Sequence, residues 1–567
     1  MIILNNLWQY AAEQDRIKTE RTEDCWQRVP YEIEDIQGEM LLAGECTSPE
    51  PLTLRVNLSG WYKIYICFVN MRSDNYVYFK LTDDTGYCGI KNIALGSPRT
   101  WCNTEFAQEL YWKCADMNGQ EIVIDKPRDT QKNAACVAWI KFEPMNDEEV
   151  EGYREYRRAS ENRCMHFHFD EDRNLEDTVD CLDGLVAQEA QLVGTDVGEC
   201  SFEISFDYDS VIDESYIPIR QIDRLWNRKD ILFKKHKELA YRKRIEVLHN
   251  AGIKVYAANR MSVCSFHTPY DLKTWNSAFA DAHPEYYCTM RDGSTVNVCS
   301  YAYPQVRRHI IDMYREHMKY GFDGATLIFT RGLNIAFEPP VLDEFKKLYP
   351  DIDPFTLPMS DERLNGVWCG FMTEFMREFR AALPHIRINV VTDYTPDSAK
   401  RIGVDVQKWA EEGLVDGIIQ GHMEIYEDLE GCLDNSGCID LEIYQKLLRK
   451  KQIIRRIHGN AKEKVIEGIG KYKAMCDRYG IDFYAVMSWP RVIPYDQYPA
   501  YVEELRKAGA EKFFCWNSNQ VVWNLPELHT ASMLGHNSLF EKDLSRYYKV
   551  ISLAGNNIAS FNPNWKG

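Results

Sequence analysis

The stretch MYREHMKYGFDGATLIF, Met313 to Phe329, contains the pattern that decides the fold of this chain. Residues at amphipathic helical spacing lead to Gly321, and a short apolar run follows the glycine. Glycine readily adopts the left-handed conformation that closes a helix, and a run of this length and composition is typical of a strand buried on both faces. The stretch therefore predicts a helix followed by a strand of a parallel sheet.

The same helix, glycine and strand pattern recurs along the chain, and it predicts repeated βα units. The other copies are VLHNAGIKVYAANR (247–260), WAEEGLVDGIIQGH (409–422), AMCDRYGIDFYAVMSW (474–489) and ELRKAGAEKFFCWN (504–517). Three further runs read as strands: CMHFHFD (164–170), CSFEISFDYD (200–209) and IRINVVTDY (386–394). Eight strands interspersed with helices predict a (β/α)8 TIM barrel with insertions. An open doubly wound sheet is the alternative, but no glycine-rich phosphate fingerprint follows the first strand.

The region before the barrel has a different residue pattern. Between Pro30 and Pro144 polar and apolar residues alternate with a period of two, as in LTLRVNLSGWYKIYICFV (52–69). Such short, regular strands predict an antiparallel β-sandwich, so the expected fold class is α/β, a TIM barrel preceded by a sandwich. The predicted organisation is a sandwich like a carbohydrate-binding module (1–145), a linker helix (146–163), the catalytic barrel (164–540) and a C-terminal extension that packs on the body (541–567).

The charge, apolar runs and cysteine spacing of the chain exclude several classes of function. The formal charge of −19 argues against a nucleic-acid partner, because such proteins need clustered Lys and Arg to neutralise phosphate. No stretch approaches the roughly 20 apolar residues of a membrane span, and the first residues do not resemble a secretory signal. The 18 cysteines are scattered without metal-ligand spacing, which suggests reduced thiols in the cytoplasm. We expect a cytoplasmic protein with a sugar-like ligand, either monomeric or a homo-oligomer.

Polar and aromatic residues gather where the predicted strands end, which is where TIM barrels place their chemistry. Polar groups can bond the hydroxyl groups of a sugar while aromatic faces cover its C–H side. The candidates are His168, Asp170, Asp207, Asp209, Arg260, Arg331, Glu338, Asp393, His422, Glu424, Trp489, Trp516 and Asn517. Asp207 and Asp209 equally suit caps of a turn. His166 and Glu203 lie deeper in their strands and suit core residues satisfied by hydrogen bonds.

The HFH pair, His166 and His168, also suits a divalent metal on a first barrel strand. It resembles the start of the amidohydrolase pattern, whose further ligands are a Lys on the fourth strand, His on the fifth and sixth, and Asp on the eighth. Only His422 on the sixth strand matches, because the fifth strand has Asp393 and the eighth has Asn517. We therefore expect no resident metal ion, with His166 and His168 as the place for one if it exists.

Several phrases resemble the bacterial glycosyl-hydrolase-like TIM-barrel proteins, a largely uncharacterised family that often carries an N-terminal β-sandwich. The similarity runs from about Arg163 to Trp523. It includes AGIKVYAANRM, FADAHPEYY, YAYPQVRRHIIDMYREHMKYGFDG, TRG after the fourth strand, and IGVDVQKWAEEGLVDGII. The resemblance implies a barrel that binds or cleaves a carbohydrate.

The chain departs from that family where relatives have acids. Relatives commonly read D-G-hydrophobic-E-L-D-F-x-R on the fourth strand, whereas this chain has Thr326 and Ile328 at the two acidic positions and keeps Arg331. After the third strand relatives often show R-M-N-D, and here Ser262 and Val263 follow Arg260 and Met261. Any acids must therefore come from other strands.

Glycoside hydrolysis needs two carboxyl groups, and our first choice is Asp393 on the fifth strand with Glu424 on the sixth. Asp170, Asp207, Asp209 and Glu338 are in reserve. Arg260 and Arg331 on adjacent strand ends suggest a planar anion, such as a uronate carboxylate, because Arg forms bidentate bonds to carboxylates. Two other functions stay open: a non-catalytic carbohydrate-binding barrel, and a metal-dependent hydrolase or lyase.

Overall fold

The protein is represented by a computed structural model that describes residues 1–20, 22–44, 47–70, 75–91, 106–126, 134–158, 163–169, 184, 186–206, 208–210, 231–261, 277–330, 335–421, 461–487, 498–516, 518–522, 525–535 and 548–552. The strands are β1 Ile2–Leu4, β2 Ile17–Lys18, β3 Trp26–Ile33, β4 Ile36–Ala43, β5 Leu52–Leu54, β6 Trp61–Asn70, β7 Tyr76–Leu81, β8 Cys88–Lys91, β9 Phe106–Asp116, β10 Ile122–Asp125, β11 Ala135–Pro144, β12 Met165–Phe169, β13 Val197–Phe206, β14 Asp209–Ser210, β15 Lys254–Arg260, β16 Tyr287–Thr289, β17 Thr295–Cys299, β18 Gly324–Ile328, β19 Arg387–Thr392, β20 Gly417–Gln420, β21 Asp482–Met487, β22 Lys512–Cys515 and β23 Tyr548–Ser552. The α-helices are α1 Asp147–Arg158, α2 Ala187–Ala190, α3 Ile231–Asn250, α4 Ala278–Ala282, α5 Pro304–Met318, α6 Pro339–Leu348, α7 Glu362–Ala382, α8 Pro396–Lys400, α9 Val406–Glu411, α10 Ala461–Tyr479, α11 Tyr498–Lys507, α12 Ser518–Val522 and α13 Leu525–Ser532.

Eight parallel strands close into a barrel. Their order is β12, β13, β15, β18, β19, β20, β21 and β22, and β22 pairs with β12 to complete the ring. We call them the first to eighth barrel strands. Seven lie within runs that the sequence indicates as strands, and β13 overlaps its run but begins three residues earlier, at Val197, so the predicted (β/α)8 TIM barrel is confirmed.

The glycine that ends each predicted helix has the expected role. Gly321, between α5 and the fourth barrel strand, has a φ of 101°, and Gly509, between α11 and the eighth, has a φ of 107°. A residue with a Cβ is strained in this conformation, whereas glycine is not. The chain can therefore leave each helix sharply and enter the next strand without a long loop.

Outward-facing apolar side chains fix the barrel strands to the helices. The Phe202 ring of the second strand lies 6.4 Å from that of Tyr241 in α3, measured between centroids. The Phe329 ring, just after the fourth strand, lies 5.6 Å from that of Trp409 in α9. Because side chains alternate along a strand, the residues next to Phe202 and Phe329 on their own strands point into the barrel. No helix in the described part of the chain combines the length and apolarity that crossing a bilayer requires.

Two sheets built mainly of antiparallel strands precede the barrel. One contains β1 to β4, β6, β9, β11 and β23, and the other contains β5, β7, β8 and β10. The sheets contact each other through aromatic side chains, since the Phe79 ring of β7 lies 6.1 Å from that of Phe68 in β6 and 5.8 Å from that of Trp112 in β9. This arrangement agrees with the predicted antiparallel sheet domain.

The last described strand returns to the N-terminal sheets. β23 pairs antiparallel with β9, so residues far apart in sequence share one sheet. Contacts with the barrel add to this connection, because the Cys88 thiol donates to Gln191 Oε1 at 3.0 Å and His529 Nε2 lies 3.2 Å from the Tyr111 carbonyl oxygen. The domain boundaries proposed from the sequence remain a prediction.

An acid is buried in the helix layer beside the eighth barrel strand. Glu527 of α13 is 8% exposed, and its Oε1 accepts a hydrogen bond from the Tyr498 hydroxyl of α11 at 2.6 Å. Burial raises the pKa of Glu527 to about 7, with the Tyr498 bond opposing the rise. The thiol of Cys515 also faces this carboxyl, and burial raises its pKa to about 12. Both groups that face Glu527 in the described part are therefore uncharged near neutral pH.

Candidate active site

The barrel lumen is lined by polar side chains from alternate strand positions. Ser201 of the second barrel strand and Thr326 of the fourth are separated by the third strand, yet their hydroxyl oxygens lie 2.9 Å apart. Only side chains that point into the lumen can meet in this way. Alternation then places Glu199 and Glu203 on the same face as Ser201, whereas a β-bulge follows Glu203 and Ser205 pairs with Asn259.

The lower lumen, at the N-terminal ends of the strands, holds a charge-balanced network. The Tyr484 hydroxyl donates to Glu199 Oε2 at 2.8 Å, and His166 Nδ1 lies 3.2 Å from the same oxygen. Arg387 pairs with Asp482, whose other oxygen lies 2.8 Å from the ammonium nitrogen of Lys512. These six side chains contact one another at the end of the barrel opposite the one where TIM-barrel enzymes place their chemistry.

Titration in this network follows from burial and pairing. Burial lowers the pKa of the His166 ring, so the neutral imidazole is favoured. Burial alone would raise the pKa of Glu199, but hydrogen bonds from His166 and Tyr484 and the charge of Arg387 outweigh it and hold that pKa well below its usual value. Glu199 is therefore an ionised structural carboxylate.

The upper lumen contains a second carboxylate with different partners. Glu203 is completely buried, and its Oε1 lies 2.5 Å from Nε of Arg260 on the third barrel strand. Its Oε2 lies 3.6 Å from Nε2 of His168 on the first strand, which is longer than a hydrogen bond. The Trp516 ring, directly after the eighth strand, meets the His168 ring at 4.8 Å and 77°. Three predicted ligand-binding residues, His168, Arg260 and Trp516, therefore gather around Glu203.

Thr326 and Ile328 stand at the two positions that are acidic in the proteins the sequence resembles, and both are held by structural contacts. Thr326 is buried in the lumen, where its hydroxyl bonds Ser201 and its carbonyl oxygen accepts from the Tyr314 hydroxyl at 3.2 Å. Ile328 is completely buried and belongs to the main hydrophobic core. The fourth strand contributes no carboxylate to the lumen from Gly324 to Thr330.

Asp393 directly follows the fifth barrel strand, at the same end of the barrel as Arg260. It is 4% exposed, and its Oδ1 accepts from the backbone N–H of Tyr394 at 2.7 Å. The Tyr472 hydroxyl of α10 donates to the Asp393 carbonyl oxygen at 2.8 Å. The backbone at the end of the fifth strand is thus held from the helix side.

Two other predicted ligand-binding acids, Asp209 and Glu338, accept hydrogen bonds from the backbone of other segments. Asp209 accepts from the backbone N–H of Ala278 at 2.8 Å and of Phe279 at 3.5 Å in the first turn of α4, and burial raises its pKa to about 6. Glu338 accepts from Ala336 N–H at 3.0 Å and from Thr289 N–H at 3.2 Å, and burial raises its pKa. Their roles toward a ligand stay predictions.

The remaining sequence-predicted site residues lie outside the described residues. They are Asp170, Asp207, Arg331, His422, Glu424, Trp489 and Asn517. All follow barrel strands in the sequence, so their assignment to the C-terminal end of the barrel rests on that order alone.

The contacts of the HFH pair, His166 and His168, do not suit a metal site. His166 has one ring nitrogen 2.5 Å from the Ser201 hydroxyl and the other 3.2 Å from Glu199, so both point at protein partners. His168 directs Nε2 towards Glu203. Within the described part of the chain, no three His, Cys, Asp or Glu side chains form a group that could hold a metal ion.

The sequence did not single out Glu203 as a site residue. Its position inside a strand suggested a core role, and its burial fits that expectation. The alternation of acidic and hydroxyl residues along 199–205 did indicate a polar lumen face, but sequence alone did not show that Arg260 from another strand reaches this carboxylate.

The solved structures similar to this chain include glycoside hydrolases. An α-galactosidase from Thermus thermophilus is 10% identical, with 93% of this chain and 99% of that chain covered and a TM-score of 0.35. The glycoside hydrolase domain of PelA from Pseudomonas aeruginosa is 13% identical, with 64% and 96% covered and a TM-score of 0.30. A β-galactosidase from Rahnella is 13% identical, with 62% and 50% covered and a TM-score of 0.36. No protein-family model and no curated protein matches the sequence.

Proposed function

We propose that this protein is a glycoside hydrolase that uses two carboxyl groups at the C-terminal end of its barrel. One observation supports the proposal: Arg260 and His168 lie beside Glu203 in the upper lumen, the Trp516 ring packs on His168, and Asp393 follows the fifth strand at the same end of the barrel. Polar groups beside an aromatic ring suit a sugar, and a carboxylate at the mouth supplies the reactive group that hydrolysis needs.

The chemistry divides between an acid and an ionised carboxylate. One carboxyl group gives its proton to the glycosidic oxygen as the C1–O bond breaks, and the other acts at C1 as nucleophile or as base for water. Asp393 is our first choice for one role, and Glu424 is the partner chosen from the sequence. Asp170 and Asp207 are the reserves on the first and second strands.

A non-catalytic carbohydrate-binding barrel is the second candidate, favoured by the missing acids at Thr326 and Ile328. Against it stands the cost of burial, because a buried carboxylate lowers stability unless it is paired. Glu203 and Asp393 are both buried, Glu203 beside Arg260, and a binding site could use neutral groups at these positions instead. Retention of acids in this position favours catalysis.

The narrower proposal of a uronate-containing substrate depends on the two arginines. Glu203 compensates the charge of Arg260 within the barrel, so Arg331 is the residue that would hold an anionic sugar. On this account the upper lumen carries no excess positive charge from Arg260. A neutral glycoside is therefore the first substrate class to test.

We expect neutral aryl glycosides to be hydrolysed faster than the matching aryl uronides. Release of nitrophenol from a panel of both classes, in both anomeric forms, measures this preference. The Arg331→Ala variant is the comparison, and its preference for neutral sugars should equal that of the wild type. A uronide preference in the wild type that disappears in Arg331→Ala would establish the acidic substrate class instead. Absence of release from every glycoside would contradict the proposed hydrolase.

A further inference from the structure

We propose that Tyr472 of α10 is a positioning residue of the hydrolysis: its hydroxyl holds the end of the fifth barrel strand so that Asp393 can protonate the glycosidic oxygen. This inference rests on the proposed glycosidase function, with Asp393 as the acid. Tyr472 acts through Asp393 rather than on the sugar. Its effect should therefore depend on how strongly the leaving group of the substrate needs a proton.

Two successive carbonyl groups at the end of the fifth strand accept hydrogen bonds from side chains. The Tyr472 hydroxyl donates to the Asp393 carbonyl oxygen at 2.8 Å. Nε2 of Gln420, the last residue of the sixth strand, donates to the Tyr394 carbonyl oxygen and to that of Val465 in α10, both at 2.9 Å. Buried carbonyl groups need such partners. The backbone of 393 and 394 is thus bound to the sixth strand and to α10.

The helix α10 lies close enough to the strand end to hold it. Gly468 faces the Tyr394 carbonyl oxygen, and a Cβ at this position would overlap that oxygen. The Tyr472 ring stacks on that of Phe483 in the seventh strand, with 5.6 Å between the ring centroids and 15° between the planes. Because the Tyr472 ring is also completely buried, its hydroxyl keeps one direction towards the strand end.

One peptide unit connects the Tyr472 hydroxyl to the carboxyl group of Asp393. The Asp393 carbonyl group and the Tyr394 N–H belong to this unit, which is planar. The Tyr472 hydroxyl binds its oxygen, and Asp393 Oδ1 accepts from its N–H at 2.7 Å. Rotation of the peptide plane would therefore move the N–H and the carboxyl group together. A displacement of about 1 Å at a catalytic group can cost about 10²-fold in rate.

The proton transfer balances without a further reactant. Asp393 gives its proton to the glycosidic oxygen, which keeps the electron pair of the breaking C1–O bond, while the second carboxyl group acts at C1. Asp393 is left ionised and regains a proton from the water that adds to C1. Dinitrophenolate is a stable anion and leaves without a proton, whereas phenolate needs one. Misplacement of Asp393 should therefore slow the hydrolysis of phenyl glycosides and spare that of dinitrophenyl glycosides.

The test compares phenyl and dinitrophenyl glycosides of the sugar that the wild type hydrolyses fastest. Tyr472→Phe should lower kcat/KM for the phenyl glycoside by at least about 10-fold and that for the dinitrophenyl glycoside by less than about 2-fold. In the Asp393→Asn background the same change should alter kcat/KM for the phenyl glycoside by less than about 2-fold, because Asn has no proton to position. Gln420→Met, which removes the donor to the Tyr394 carbonyl oxygen, should give the same leaving-group pattern and serves if Tyr472→Phe does not fold.

Tyr314→Phe is the matched control. Tyr314 is a buried tyrosine of α5, and its hydroxyl donates to the Thr326 carbonyl oxygen of the fourth strand at 3.2 Å. The control removes the same kind of bond from a different strand, so it should change both kcat/KM values by equal factors. Equal losses for the two leaving groups in Tyr472→Phe, or an unchanged kcat/KM for the phenyl glycoside, would overturn the positioning role while leaving the hydrolase proposal intact. Absence of hydrolysis in the wild type would instead refute the proposed function itself.

Discussion

Asp393→Asn should lower kcat for aryl glycoside hydrolysis by roughly 10³-fold while leaving the affinity for the sugar nearly unchanged. Loss of general acid–base catalysis commonly costs about 10²- to 10⁴-fold. Asn keeps the size of Asp and can still accept the N–H of Tyr394 through Oδ1, so the backbone at the strand end should be preserved. Steady-state kinetics measure kcat, and calorimetric titration with the product sugar measures binding.

Asp397→Asn is the matched control for this change. Asp397 lies in α8 shortly after the same strand, and its side chain is 80% exposed, so its replacement should not alter kcat. Equal kcat for wild type and Asp393→Asn would show that this carboxyl group takes no part in proton transfer.

Glu527→Gln should make the protein more stable above neutral pH and leave it unchanged in acid. The folded-state pKa of Glu527 is about 7 against an ordinary value of 4.5, and this difference corresponds to about 3 kcal/mol. Below pH 4.5 the carboxyl group is protonated in both states. Between pH 4.5 and 7 the unfolded chain loses the proton that the folded protein keeps, so wild-type stability falls over this window and levels off above it, while the Gln variant shows no such fall.

Urea unfolding at pH 5 and pH 8 measures this effect. The variant should gain about 3 kcal/mol relative to the wild type on going from the lower to the higher pH. Tyr498→Phe is the control: it removes the hydroxyl that donates to Glu527 and should steepen the loss of stability with pH. A difference in the free energy of unfolding between Glu527→Gln and wild type that stays constant across this range would contradict a carboxyl group whose pKa is raised by burial.

The barrel could be predicted because its signals are local. Five units repeat a helix, a closing glycine such as Gly321 and a short apolar run, and all eight strands overlap the runs that the sequence indicates. Strands buried on both faces need continuous apolar sequence, and positive φ needs glycine. Neither condition depends on residues far away in the chain.

The site was harder to predict because its contacts join distant segments. The Glu203–Arg260 pair connects neighbouring barrel strands, and Ser201 meets Thr326 across 125 residues of sequence. Alternation along a strand shows which face is polar, but register and shear decide which groups meet. Glu203 was for this reason interpreted as core, and the pairing of Asp393 with Glu424 remains a prediction from strand order.

The most direct test of the central claim is a crystal structure of Asp393→Asn with its best aryl glycoside bound. The account predicts the sugar in the barrel mouth, with a second carboxyl group facing C1. The glycosidic oxygen should lie within about 3.2 Å of the side chain at position 393. A sugar bound outside the lumen, or with C1 far from both side chains, would contradict a hydrolase that works through these carboxyl groups.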